Sequence, residues 1–153
     1  MKFTWREGAR PPTLVRDGKE VTISAEAVAK ELRKLDVPSP ENLLHASKAS
    51  DHVLHSELWR EGDQVWAQRG RMERCREIIR GIHEITTIGG KTITNRTVEF
   101  VRVKGEGIWA HMDAILADPD LEKAYLAEIE KLQQQALAKI QRYRALKSGE
   151  DGV

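Results

Sequence analysis

The sequence holds one cysteine, Cys75, among 153 residues, which excludes an internal disulfide framework and fits a reducing compartment. Net charge is almost absent, with 25 Lys plus Arg against 24 Asp plus Glu. A histone-like polycation is thereby excluded, and any affinity for nucleic acid must come from a local patch. No apolar run approaches the ~20 residues of a membrane span, and no signal-peptide pattern opens the chain. A cytoplasmic protein without a membrane partner is expected. Ser-His-Asp order, Walker loop, dinucleotide fingerprint and His-Glu-x-x-His are all missing, so no cofactor and no catalytic residue are assigned. Aromatic residues make up only 5%, while 40% of the chain is hydrophobic and 32% charged, the balance of a globular protein with solvated helices.

Residues 1–23 combine Trp5, a Pro11-Pro12 pair and the turn signal Asp17-Gly18, and read as a mobile arm or a small hairpin with Val15 facing Val21 and Ile23. Ser24 caps a helix carrying Val28, Leu32 and Leu35 on one stripe, ended by Val37-Pro38. Ser39-Pro40-Glu41 starts a second, short helix with Leu43 and Leu44 inward. A long helix is expected from about Asp63 to Ile82, with Val65, Met72, Cys75, Ile79 and Ile82 on its buried face and Trp66 extending it. The pattern then turns to β: Gly89-Gly90 joins two strands, and the segments up to Ile108–His111 complete a three-stranded antiparallel meander with Trp109 inward. Asp118-Pro119-Asp120 opens a last helix of about 28 residues, to roughly Leu146. The expected class is α+β: a mostly helical single domain over 24–147 with a small meander and a long C-terminal helix, and a frayed tail at 148–153.

Arg69, Arg71, Arg74, Arg76 and Arg80 on one helix form the most suggestive constellation, because guanidinium forks match phosphate. They make DNA or RNA the favoured partner. The competing view is a solvated helix whose charges pair with Glu73 and Glu77. A helix-turn-helix over the first two helices would offer only Asn42, His45, Ser47 and Lys48 to DNA. His45, His52 and His55 suggest a metal-dependent hydrolase only poorly, since their spacing matches no known zinc pattern, and no metal ligand is assigned. Cys75 reads as core filling. Trp5, in polar and irregular surroundings, is a candidate interface anchor. Tyr125, Ile129, Leu132, Ala136 and Tyr143 follow a heptad-like spacing that Lys139 interrupts, which suggests a homodimer.

Leu54-His55-Ser56-Glu57-Leu58-Trp59, the run Arg71–Arg80 and Leu116-Ala117-Asp118-Pro119-Asp120-Leu121 resemble a family of small phage and prophage proteins. The resemblance covers about residues 24–147 and implies a bacterial host cytoplasm and a phage-derived gene set, but no activity. The expected function is that of a non-enzymatic accessory protein acting by binding. Nucleic acid is the first choice of partner and a host protein, inhibited or bridged, the alternative.

Overall fold

The structure, a computed structural model, describes residues 2–59 and 68–149. The chain divides into two compact units, residues 1–100 with 108–112, and residues 101–107 with 113–153. The first unit opens with β1 (Lys2–Trp5) and the hairpin β2 (Thr13–Arg16) and β3 (Lys19–Thr22). Helices α1 (Ala25–Arg33), α2 (Pro40–Ala46), α3 (His55–Leu58) and α4 (Gln68–Gly81) follow, then β4 (Ile82–Ile88) and β5 (Lys91–Arg96). The hairpin β6 (Val98–Val103) and β7 (Glu106–His111) has residues in each unit, and α5 (Met112–Ala117) after its first residue and α6 (Pro119–Ser148) belong to the second. Val65, Trp66 and the expected start of the arginine helix lie outside the described residues.

Local chemistry explains most boundaries. Ser24 Oγ accepts from the Ala27 amide at 3.1 Å and Ser39 Oγ from the Asn42 amide at 3.1 Å, with Pro40 opening α2. Asn42 Nδ2 donates to the Val37 carbonyl at 2.8 Å, bracing the connection instead of presenting an amide to a base edge. Asp17 and Gly18 both take positive φ, 52° and 75°, the two-residue turn whose twist matches paired strands. Residues 13–22 are therefore a hairpin, with Val15 opposite Glu20 and Leu14 opposite Val21. Ile23 leaves the ladder and is buried in the core.

The N-terminus is not an arm. β1 pairs antiparallel with β4, from Lys2↔Ile85 to Trp5↔Ile82, in a sheet of order β1-β4-β5. The expected meander is thus corrected: β4 and β5 pair across Gly89-Gly90, but their third strand comes from the other end of the chain, and β6-β7 is a separate hairpin. All six residues of β5 are exposed, whereas Phe3 and Trp5 of β1 pack on the core. β1 takes the edge of β4 opposite β5, where its apolar side chains add to the core. At Gly81, where α4 passes into β4, an added Cβ would sit 3.2 Å from the Trp5 ring, which would have to give by a few tenths of an ångström.

The core of the first unit joins Val28, Ala29 and Leu32 of α1, Leu43 and Leu44 of α2, Leu54, Leu58, and Cys75, Ile78 and Ile79 of α4, with Trp109 packed against it. In the second unit, Asp118 Oδ1 accepts from the Asp120 and Leu121 amides at 3.0 and 3.3 Å, and Pro119 fills the first helical turn. Gly149, at φ 78°, ends α6 in the left-handed cap that glycine favours. α6 runs 30 residues, and none of them is buried. No described helix is long and apolar enough to cross a membrane.

Candidate functional site

The two constellations singled out from the sequence meet different fates. On α4 the apolar repeat turns one face inward, and Arg71 and Arg74, one turn apart, go inward beside it: they are only 6% and 2% exposed. Burying a guanidinium is costly unless every donor finds an acceptor. Arg74 finds Glu57 of α3, whose Oε1 accepts from Nε at 2.9 Å and from Nη2 at 2.7 Å, while Nη1 lies 3.1 Å from Glu77 Oε1 as an ion pair without hydrogen-bond geometry. Arg71 donates from Nε to the Leu58 carbonyl at 3.0 Å and stacks over Trp59, 4.2 Å from the ring centroid.

Trp59 is itself fixed. Its Nε1 donates to Ser47 Oγ at 2.9 Å, and that hydroxyl donates to the Leu44 carbonyl at 2.6 Å. Arg71 and Arg74 therefore clamp α3 and its flanks to α4, and they do not sit where a phosphate can reach. Arg76, half-buried, pairs with Glu73, and Arg80 lies 5.7 Å from the Trp109 centroid. The Arg69 side chain lies outside the described residues. Of the five expected arginines, Arg71 and Arg74 are thus corrected from surface to core, while Arg76 is half-buried and Arg80 is exposed. Glu57 escaped the sequence reading because one acid in a Leu-His-Ser-Glu-Leu-Trp run carries no sign of its distant partner.

The histidines are used singly. His52 Nδ1 accepts from the Leu54 amide at 3.1 Å and Nε2 lies 3.4 Å from Glu31 Oε2, while His55 Nδ1 lies 2.9 Å from the Ser47 carbonyl. His45 is exposed. Among the described residues no three His, Cys, Asp or Glu side chains converge as metal ligands. Burial lowers the His52 pKa below its ordinary value, outweighing the attraction of Glu31. Burial likewise pushes the Cys75 thiol up to about 12, with Glu41 adding to it against Arg74 and Arg76, so the thiol is an inert core group.

Trp5 is not an exposed anchor. It packs on the core and its Nε1 donates to the Ile23 carbonyl at 3.0 Å, because β1 joins the sheet. The remaining expected interface residues lie on α6. Ile129, Leu132 and Tyr143 are 43%, 55% and 63% exposed, Ala136 is exposed and Tyr125 is half-buried. Leu126, Leu137 and Ile140, which the heptad spacing left out, are also exposed. Comparison with protein-family models, with curated proteins and with solved structures finds no match to this chain.

Proposed function

We propose that this is a non-enzymatic binding protein that acts through protein–protein contact along α6, self-association included, rather than through nucleic acid. The observation that carries this reading is a helix of 30 residues with no buried position and a row of exposed Leu, Ile and Tyr side chains. A large contiguous apolar surface marks an interaction site. The burial and internal engagement of Arg71 and Arg74 weigh against the nucleic-acid alternative. In this reading the setting is a bacterial host cytoplasm, as the resemblance to phage proteins implies.

The test is site-specific photo-crosslinking in producing cells, with the reactive residue at Leu132 or, as control, at Gln134 on the opposite side of α6. Crosslinks to protein from position 132 and few from 134 are expected. Equal yields from both faces, or crosslinks to nucleic acid alone, would overturn the reading.

A further inference from the structure

The apolar stripe of α6 follows an eleven-residue rule. Leu121, Leu132 and Tyr143 are spaced by eleven, and so are Ile129 and Ile140, with Tyr125 and Ala136 between them. Eleven residues make three turns at about 3.67 residues per turn, so such a stripe winds slightly right-handed, where a seven-residue stripe would wind left-handed. This spacing places Ile140 on the seam and moves Lys139 to its border.

The borders carry charge in a definite order. One border presents Glu128 and then Lys139, the other Glu122, Gln133 and Arg144, again eleven apart. Along the axis, the half 119–133 holds four acids and two lysines, a net −2, while 134–148 holds Lys139, Arg142, Arg144 and Lys147 and no acid, a net +4. A parallel neighbour would set basic end beside basic end. An antiparallel copy sets acidic half against basic half.

Resting on the reading of α6 as a protein-contact surface, we propose that its occupant is a second copy of this chain, antiparallel and overlapping over the whole helix. α6 spans Pro119–Ser148, so its midpoint falls between Gln133 and Gln134. Pairing about that midpoint brings Glu128 opposite the partner's Lys139 and Glu122 within one residue of the partner's Arg144. Both borders thus reach complementarity in the register that also gives complete overlap. A two-fold axis repeats each pair, so four opposite-charge contacts flank the seam.

Sedimentation equilibrium of the full chain at micromolar concentration tests this. Twice the chain mass of 17.4 kDa is expected. Glu128→Lys alone and Lys139→Glu alone each set two like-charge pairs at the seam and should raise the dissociation constant about tenfold. The double exchange should restore it. A monomer in the wild type, or a double variant no better than its parents, would overturn the proposal. Mixing a Glu122→Cys chain with an Arg144→Cys chain gives an independent readout, since Cys75 is buried. A mixed disulfide dimer supports antiparallel pairing, whereas links between two copies of the Glu122→Cys chain contradict it. A monomer whose position 132 still crosslinks to another protein would overturn self-association while leaving the protein-contact reading in place.

Discussion

Helices α4 and α6 distribute charge and apolar surface in opposite ways. α4 turns two arginines into the core of the first unit, and α6 leaves leucine, isoleucine and tyrosine exposed between Leu126 and Leu146. Composition alone therefore does not name the binding helix. A buried guanidinium held by Glu57 and Glu77, as in Arg74, or by a carbonyl and a tryptophan face, as in Arg71, is structural material, however basic its helix looks in sequence. An apolar row without cover is the feature still in search of a partner.

Glu57→Ala leaves Arg74 buried without its main acceptor and should cost about 3–5 kcal/mol, measured by urea unfolding followed by circular dichroism. Replacing the pair together, Glu57→Leu with Arg74→Met, should cost much less, because no buried charge is left alone. Similar losses from both would show that the packing of these side chains matters more than their pairing. Ile79→Ala in the same helix should cost ~2–5 kcal/mol through the cavity it leaves, while Gln134→Ala in α6 should leave stability nearly unchanged.

A smaller effect belongs to pH. The folded pKa of His52 lies below its ordinary 6.5, so the unfolded chain takes up the proton first as the solution is acidified. The stability tied to this group is complete above pH 6.5 and is lost as pH falls through the folded pKa. His52→Asn should flatten the decline in unfolding free energy below pH 6.5, and an unchanged slope would show that other groups set it. Smallest of all, Arg76→Ala should alter stability by less than about 1 kcal/mol, since its pair with Glu73 is a surface contact.

What was legible in the sequence was local. Ser24, Ser39 and Asp118 cap helices through bonds to residues two or three positions on, and Asp17-Gly18 and Gly89-Gly90 make turns by their own backbone preference. Cys75 and Ile79 were readable as core from a spacing within one helix. What was not legible depended on distant partners. The place of β1 beside β4 is decided by residues far apart in the chain, Lys2 with Ile85 and Trp5 with Ile82, and it is this pairing that packs half-buried Trp5 against the core. The fate of Arg74 is decided by Glu57, seventeen residues away, and no pattern inside α4 separates a buried arginine from a solvated one. On α6 the apolar positions were visible, but a seven-residue template put Lys139 among them and left Ile140 out.

Backbone hydrogen exchange at two protein concentrations tests the contrast between the helices most directly. At nanomolar concentration, where copies are apart, the α6 amides between Ile129 and Tyr143 should exchange quickly. At tens of micromolar they should be protected, while α4 amides from Arg74 to Ile79 exchange at the same slow rate in both. Protection of α6 that does not change with concentration, or a concentration dependence at α4 instead, would contradict the assignment of structure to one helix and binding to the other.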